Sequence, residues 1–349
     1  MAEQKTVLVT ACGSSIGLEV LRSLHEAALP IRVIGTEVSW WGKQVAQPYC
    51  DQVLLLPRGD HPGYYDAIQK SISQYRVDLV FVNTEPELNA IVDRRDDFEV
   101  AMSCPPANGL QACLSKQILH DRLAGHNLTA STVVVRDRTD LEQAMDVLGS
   151  PFWLRCAEGP RGRGSIVVEH PDDGAFWMDY WRRREAGEDV WLAHEYLPGR
   201  NLNWTSIWLH GQLMAAACGE RLKYFLSQVS VSGVTGNVSH CKLADSSEIT
   251  PIASQAVRLA DQRPHGIYAV DLRENQRGEA KVTEINGRQA FRPLLYTRAG
   301  ANFSELFVKA MLGDEDFVFD ATQLKVGLEM VRGMDFEPMF RDLDSQGAS

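Results

Sequence analysis

The stretch Lys281-Val-Thr-Glu-Ile-Asn-Gly-Arg288 places a carboxylate, an amide and a guanidinium at alternate positions of a strand-like run. Because residues i and i+2 of a strand face the same side, Glu284 and Asn286 can converge on one cation, with Arg288 beside them. A second strand-like run, His265-Gly-Ile-Tyr-Ala-Val-Asp271, supplies another carboxylate. Carboxylate and amide oxygens suit Mg²⁺, and an arginine can hold the phosphate that the ion binds. An exposed polar edge strand is the alternative, but the pattern favours a magnesium site.

The segment Pro151-Phe-Trp-Leu-Arg-Cys-Ala-Glu-Gly-Pro-Arg-Gly-Arg-Gly-Ser165 joins a strand to a loop rich in glycine and arginine. Arg155 comes at the end of the strand, and Gly162 and Gly164 lie in the loop. The backbone N–H groups and guanidinium groups of such a loop can close over a triphosphate. A solvated surface hairpin is the alternative, so the loop alone does not decide the function.

The order of strand-like and helix-like segments predicts two architectures in succession. In the first hundred residues, strands at 6–10, 31–35, 53–56 and 78–82 alternate with helices at 17–28 and 63–75, which indicates βαβ units and a parallel sheet. We therefore expect an α/β, Rossmann-like domain over 1–108. From Leu114 the pattern predicts an α+β body, with a charged helix near Arg182–Glu188 and many strands. Beyond about Gly313 we expect an acidic tail that forms a loose surface segment.

Composition limits the function and the location. A net charge of −11 argues against a general nucleic-acid surface. The seven cysteines are scattered, with no C-x-x-C pair, so reduced thiols are expected rather than a disulfide framework or a structural zinc site. No stretch approaches the roughly 20 apolar residues that span a bilayer, and the start of the chain does not have the pattern of a signal peptide. We expect a cytoplasmic protein with no nucleic-acid or membrane partner; a homodimer is left open.

The ordered set of these segments resembles the ATP-grasp superfamily, and most of all the synthetase domains of the carbamoyl-phosphate synthase large chain. Those domains have a basic residue at the start of a central domain, then P-x-x-x-R before a glycine-rich loop, a hinge acid, and finally E-x-N-x-R. Lys116 falls at the first basic position, and Arg155 falls where many ATP-grasp enzymes have lysine. Ala193-His-Glu-Tyr-Leu-Pro-Gly199 is similar to the hinge segment. The resemblance runs from about residue 5 to residue 313.

The resemblance implies an enzyme that uses ATP and Mg²⁺ to activate a carboxylate as an acyl phosphate and then joins it to an amine, releasing ADP and phosphate. It also implies a two-lobed body, with a central lid subdomain at 109–190 and a catalytic subdomain at 191–315. The implied roles are phosphate binding by Lys116, Arg155, Arg288 and the loop glycines Gly162 and Gly164, adenine or ribose binding by Glu195, Tyr196 and Leu197, and magnesium binding by Asp271, Glu284 and Asn286.

Other positions are less decisive. Two depart from the family pattern: Ser115 replaces the usual aspartate, and Gly287 stands where proline is commoner. Arg221 and Lys223 lie where the superfamily lines its acceptor pocket, which implies that Arg221 anchors a substrate carboxylate, while a lysine on an ordinary hairpin is as good an interpretation of Lys223. Arg292 either assists Arg288 or is structural.

A loop in the first domain suggests other functions. Gly13-Ser-Ser-Ile-Gly17 matches the G-x-S-x-G nucleophile elbow with Ser15 as nucleophile, and with Glu37 it resembles a dinucleotide loop. The full G-x-G-x-x-G spacing is absent, and a tight strand-to-helix turn needs the same small residues. Trp40-Trp41 would line a pocket, a core or a dimer contact.

The alternatives are therefore an NAD-dependent oxidoreductase, bicarbonate phosphorylation of the carbamoyl-phosphate type, and an idle ATP-binding module. A single synthetase-like unit counts against the carbamoyl-phosphate reaction, which phosphorylates twice in two units.

Overall fold

The computed structural model describes residues 4–156, 164–184, 190–229, 233, 235–313 and 319–333. None of the helices in these ranges is long and apolar enough to cross a membrane. The strands are β1 (Lys5–Val9), β2 (Ile31–Glu37), β3 (Gln52–Leu55), β4 (Leu79–Phe81), β5 (Ala101–Met102), β6 (Thr132–Val135), β7 (Phe152–Cys156), β8 (Ile166–Val168), β9 (Trp191–Glu195), β10 (Asn201–Leu209), β11 (Gln212–Tyr224), β12 (Val238–Ala244), β13 (Gly266–Glu274), β14 (Ala280–Asn286) and β15 (Glu329–Val331). The helices are α1 (Ser15–Ala27), α2 (Trp40–Ala46), α3 (Tyr64–Tyr75), α4 (Glu85–Ile91), α5 (Ala107–Leu114), α6 (Lys116–Leu123), α7 (Arg138–Leu148), α8 (Pro171–Arg184), α9 (Ile249–Ala260), α10 (Pro293–Arg298) and α11 (Phe303–Leu312).

The first domain is a five-stranded sheet in the order β3-β2-β1-β4-β5, and its pairings are parallel. Successive side chains of β1 point to opposite faces of the sheet, so Val7 and Val9 join one core while Leu8 joins another. Helix α1 begins where the Ser14 side chain accepts a hydrogen bond from the N–H of Gly17 at 3.1 Å. The predicted parallel α/β sheet is confirmed.

The body contains a large antiparallel sheet in the order β14-β13-β10-β11-β12-β15. One face packs on α9, where Trp204 and Trp208 are fully buried. The other face shares a core with the first domain, because α11 brings Phe307 onto Phe81 of β4 with ring centroids 5.8 Å apart. The first domain and the large sheet therefore form one packed unit.

A smaller antiparallel sheet, in the order β6-β9-β7-β8, stands apart from that unit with α7 and α8 on one face. The strand β7 alternates between buried and partly exposed residues, so Phe152 and Leu154 enter a core with Trp191, while Trp153 and Arg155 point to the other face. The α+β body predicted from the sequence is thus two antiparallel sheets.

A buried ion pair ties the first domain to the end of the chain. Arg292, just before α10, donates from Nη1 to Glu19 of α1 at 2.7 Å, and their side chains are only 2% and 5% exposed. The other Glu19 oxygen accepts from the N–H of Leu294 at 3.2 Å. Of the two interpretations of Arg292, the structure supports the structural one.

Two sequence expectations are wrong in detail. The charged helix predicted near Arg182–Glu188 begins at Pro171, because a proline and two aspartates form its first turn, and its predicted end at 185–188 lies outside the described residues. The tail is not loose over 319–333, since β15 pairs with β12 and the N–H of Leu243 donates to the carbonyl of Leu328 at 2.9 Å. Leu328 and Met330 also pack on the core, which the acidic composition of the tail did not reveal.

Candidate active site

The two antiparallel sheets border a cleft of about 550 Å³. The small sheet contributes Trp153 and Val167, and the large sheet contributes a row of cationic side chains that includes Lys223 and Arg273. The chain passes from the small sheet to the large sheet at 196–200, and Tyr196 lines the cleft there. The predicted hinge segment therefore adjoins the cleft.

The end of the hinge is fixed to the large sheet. Arg200 and Glu274 form a two-pronged ion pair, with Nε at 3.0 Å from Oε1 and Nη2 at 2.5 Å from the same oxygen. The N–H of Gly199 donates to the Glu274 carbonyl at 2.9 Å, and a Cβ on residue 199 would stand 2.6 Å from the Glu274 Cβ. Of the predicted hinge residues, Glu195 ends β9 and Leu197 is buried.

The predicted magnesium ligands lie on two neighbouring strands. Asp271 of β13 pairs directly with Glu284 of β14, so the two carboxylates occupy one face of the sheet. Asn286 lies two residues further along β14 and shares that face. The Asp271 Oδ1 atom accepts from Arg221 Nη2 and from Asn203 Nδ2, both at 2.6 Å.

The predicted phosphate-binding cations lie close enough to the acids to affect the pKa of Glu284. Burial raises the pKa of Glu284, and the facing Asp271 carboxylate raises it further. Lys116, Arg288 and Arg155 act in the opposite direction on the same carboxylate. Side chains that are far apart in sequence therefore share one charged site.

Lys116 and Arg155 reach this site from elements other than the large sheet. Lys116 opens α6, where Ser115 caps the helix by accepting from the N–H of Ile118 at 3.2 Å, so serine performs the capping that an aspartate would perform. Burial, followed by the charge of Arg155, lowers the pKa of Lys116. Burial also lowers the pKa of Arg155, against the effect of Glu284. Burial therefore disfavours the charge of each cation.

The acid and amide oxygens fit Mg²⁺. In the described parts of the chain no group of three or more His, Cys, Asp or Glu is placed to hold a metal ion, and the set here has an amide as its third member. Burial and the facing Asp271 carboxylate raise the pKa of Glu284, and a hard divalent ion with oxygen ligands would stabilise both negative charges. Gly287 has no room for the commoner proline, because a Cβ there would stand 2.8 Å from Pro105.

The other predicted phosphate contacts are placed as follows. Arg288 donates from Nη1 to the Gln289 carbonyl at 3.1 Å and affects the Glu284 carboxylate. Gly164 has φ of +71° and its carbonyl accepts from Trp177 Nε1 at 2.8 Å, so a glycine is required at the end of the loop. Gly162 and the rest of the loop at 157–163 lie outside the described residues.

The predicted acceptor residues differ in their surroundings. Arg221 is nearly buried and is engaged by Asp271, by Asn201 Oδ1 at 2.9 Å and by the Leu202 carbonyl at 3.2 Å. Lys223, two residues along β11, is exposed and lines the cleft. Of the two, Lys223 has the more accessible charge.

The glycine loop of the first domain is satisfied internally. The Glu37 carboxylate accepts from the N–H of Gly13 at 3.1 Å and from the N–H of Val38 at 2.7 Å. Glu37 is 7% exposed and packs on Gly42, whose own position leaves no room for a Cβ. The acid that a dinucleotide would require is therefore used within the loop, and Trp41 stands 45% exposed at the start of α2.

Sequence reasoning missed three residues of the site. Trp153 lines the cleft, His194 contacts Arg155, and Asn203 orients Asp271. Trp153 lies two residues before Arg155, so strand alternation gave a signal for it. His194 and Asn203 had no such signal, because their contacts come from other strands.

Comparison with solved structures gives the fold. The chain is similar to a biotin carboxylase complex with β,γ-ATP from Campylobacter jejuni, with TM-score 0.68 and 16% identity over 94% of this chain and 74% of that one. It is similar to the biotin carboxylase domain of Hydrogenobacter thermophilus 2-oxoglutarate carboxylase, solved with MgADP and bicarbonate, with TM-score 0.68 and 12% identity over 93% and 73%. An L-amino acid ligase from Bacillus licheniformis gives TM-score 0.66 and 14% identity over 91% and 77%.

These neighbours are ATP-grasp enzymes, and the chain has the ATP-grasp fold. No protein-family profile and no curated protein sequence matches it.

Proposed function

We propose that this chain is an ATP-dependent ligase that activates a carboxylate as an acyl phosphate and joins it to an amine, releasing ADP and phosphate. The observation that carries the proposal is the charged site. Glu284 faces Asp271 on the large sheet, within electrostatic reach of Lys116 from α6 and Arg155 from the small sheet. Arg221, which contacts Asp271, also lines the cleft, so in a chain with the ATP-grasp fold the charged site and the neighbouring cleft suit a nucleoside triphosphate.

In this proposal the cations bind the phosphates of the nucleotide, and the hinge binds its adenine or ribose. Lys116, Arg155 and Arg288 bind phosphate oxygens, and Gly162 and Gly164 belong to the same phosphate-binding set. Glu195, Tyr196 and Leu197 hold the adenine or ribose, since the hinge borders the cleft beside Trp153.

The acids and the amide would hold the metal. Asp271, Glu284 and Asn286 would bind Mg²⁺, which when bound offsets the charge on the phosphoryl oxygens. Arg221 and Asn203 fix one oxygen of Asp271 and so orient its carboxylate.

The reaction then needs positioning more than a dedicated base. A substrate carboxylate oxygen attacks the γ-phosphorus, ADP leaves, and an amine displaces phosphate from the acyl carbon. Arg155 and Arg288 stabilise the charge that spreads over the transferred group. Lys223 and Arg221 border the place for the acid, with Lys223 offering the accessible charge.

Bicarbonate is the second candidate for the acid. One neighbour with the same fold, a biotin carboxylase domain, was solved with MgADP and bicarbonate. We also propose a cytoplasmic location and small-molecule substrates, in keeping with the free thiols throughout the described residues.

A substrate screen tests the proposal. Purified protein is supplied with ATP, Mg²⁺, pairs of amino acids or other acids with amines, and separately bicarbonate, while ADP and product mass are followed. ADP release that requires one acid and one amine supports the ligase, and release with bicarbonate alone supports the second candidate.

Glu284→Ala should lower ADP release about 100- to 1,000-fold. Glu279→Ala, which changes a 45% exposed glutamate before the same strand, is the matched control. Unchanged turnover in Glu284→Ala would disprove the metal role.

A further inference from the structure

Arg155 is held by a histidine that the reaction above does not use. Its Nε atom donates to His194 Nε2 at 3.0 Å, and His194 Nδ1 lies 2.8 Å from the Thr132 hydroxyl. Thr132 in turn donates to the Ala130 carbonyl at 3.0 Å. The three side chains and one carbonyl form a single chain of hydrogen bonds across the small sheet.

The direction of this chain follows from the arginine. An arginine Nε can only donate, so His194 Nε2 must accept and cannot carry a proton. The remaining proton is therefore on Nδ1 and is donated to Thr132, whose own hydroxyl proton is committed to Ala130. The imidazole must be neutral, with one defined tautomer.

The surroundings favour that neutral form. Burial lowers the pKa of His194 well below its ordinary value of 6.5, and the charges of Arg155, His120 and Lys116 lower it further. The ring is also fixed in position, because β9 is a central strand and His194 pairs with Thr132 on one side and with Trp153 on the other.

The contact determines which nitrogens of the Arg155 guanidinium remain for a ligand. Nε is tied to His194, whereas Nη1 and Nη2 make no hydrogen bond to the part of the chain that the structure describes. These two groups form the parallel fork that binds two oxygens of one phosphate or carboxylate. A lysine at position 155 would have no pair of parallel N–H groups to orient.

We propose that His194 is a positioning residue that fixes the orientation of the Arg155 guanidinium, so that Nη1 and Nη2 bind two oxygens of one phosphoryl group. The inference rests on the proposed function, in which Arg155 binds the phosphates of ATP. Arg155 and His194 then act as one unit, and neither replaces the other.

Binding of MgADP and MgATP to variants tests the unit. His194→Leu removes the acceptor and should weaken binding about tenfold, with KM for ATP rising more than kcat falls, whereas His194→Gln keeps an acceptor and a donor and should restore most of the affinity. His126→Leu, an exposed histidine outside the sheet, is the control. In an Arg155→Ala background, His194→Leu should cost nothing further, because the guanidinium that it orients is gone.

Two results would overturn the proposal: wild-type affinity in His194→Leu, or an equal loss in the presence and absence of Arg155. Should His194→Leu fail to fold, Thr132→Val removes only the outer link and should show a smaller loss in the same direction.

Nitrogen NMR of the protein without nucleotide separates this inference from the proposed function. A His194 ring protonated at Nδ1 alone supports the hydrogen-bond chain, and a ring protonated at Nε2 overturns it. If the Nδ1 tautomer is seen but wild type binds no adenine nucleotide, the proposed function fails while the arrangement of Arg155 stands.

Discussion

The Gly13–Gly17 loop of the first domain and the charged site around Glu284 both have features of an anion site, but they differ in how burial affects their charges. In the loop, the backbone N–H of Gly13 already has the Glu37 carboxylate as its partner. At the charged site, burial raises the pKa of Glu284 and lowers that of Lys116, so burial disfavours both charges. The glycine pattern was the more familiar motif, yet the residues with shifted pKa values identify the better candidate for a ligand site.

Among the tests of this comparison, the largest effect is expected when the charged site loses a cation. Lys116→Ala should weaken MgATP binding and lower ADP release, each by about 100-fold, because a buried cation that binds phosphate is lost. Lys70→Ala, which removes an exposed lysine from α3, should leave both unchanged. The measurements are calorimetric binding and a coupled ADP assay; equal behaviour of the two variants would remove Lys116 from the site.

A second test concerns Glu19, whose charge is paired with that of Arg292. Glu19→Gln leaves the buried Arg292 guanidinium without its carboxylate and should lower the free energy of unfolding by about 3 kcal/mol. The double variant Glu19→Gln with Arg292→Met should recover much of that loss, since no buried charge is then unpaired. Urea unfolding curves give both values, and a double variant no more stable than the single one would contradict the ion-pair account.

The same substitution at Glu284 should have the opposite sign. The folded-state pKa of Glu284 lies above the ordinary 4.5, so wild-type stability falls as the pH rises from below 4.5 through that raised value. Glutamine carries no such penalty, so without nucleotide Glu284→Gln should be more stable at about pH 7.5, on the order of 1 kcal/mol.

The advantage of Glu284→Gln should vanish at about pH 4, where the carboxyl group is protonated in both states. Mg²⁺ alone should stabilise wild type and not the variant. Thermal unfolding at the two pH values, with and without Mg²⁺, distinguishes this from a change in packing, which would be independent of pH.

The smallest effect on activity is expected in the glycine loop. Glu37→Gln should cost about 1–2 kcal/mol of stability, because charge-assisted hydrogen bonds to Gly13 and Val38 are weakened. ADP release should change by less than about twofold, since the loop takes no part in the proposed reaction. A large fall in turnover at unchanged stability would place a ligand in the first domain.

The sequence was sufficient where local pattern and chemistry agree. The parallel sheet follows from alternating strands and helices, and the pairing of Asp271 with Glu284 was foreseeable from two adjacent strands, each with an acid. The cation–acid encounter required the family resemblance in addition, because Lys116 and Glu284 lie on different elements.

What the sequence did not reveal depends on partners from distant segments. Asp271, fifty residues away, holds Arg221, and nothing in the sequence indicated this contact. The role of His194 depends on Thr132 and Arg155 from two flanking strands. The strand β15 depends on its pairing with β12. None of these contacts leaves a periodic trace in the sequence.

The two covalent connections of the small sheet have a mechanical consequence. The chain enters that sheet at 131 and leaves it at 196, and these points are joined by a hydrogen bond of 2.9 Å from the Glu195 N–H to the Ser131 carbonyl. Each connection is fixed to the large sheet by one further hydrogen bond. The Leu128 carbonyl accepts from the N–H of Val282 on β14, and the N–H of Gly199 donates to the Glu274 carbonyl on the neighbouring strand β13. A rotation that preserves these two hydrogen bonds must take place about the short line between them. Bending of the few residues between the sheet and these hydrogen bonds would then rotate the four-stranded sheet as a whole. The strand furthest from the rotation axis would move most. Contacts made by a ligand in the cleft would set the angle between the two sheets.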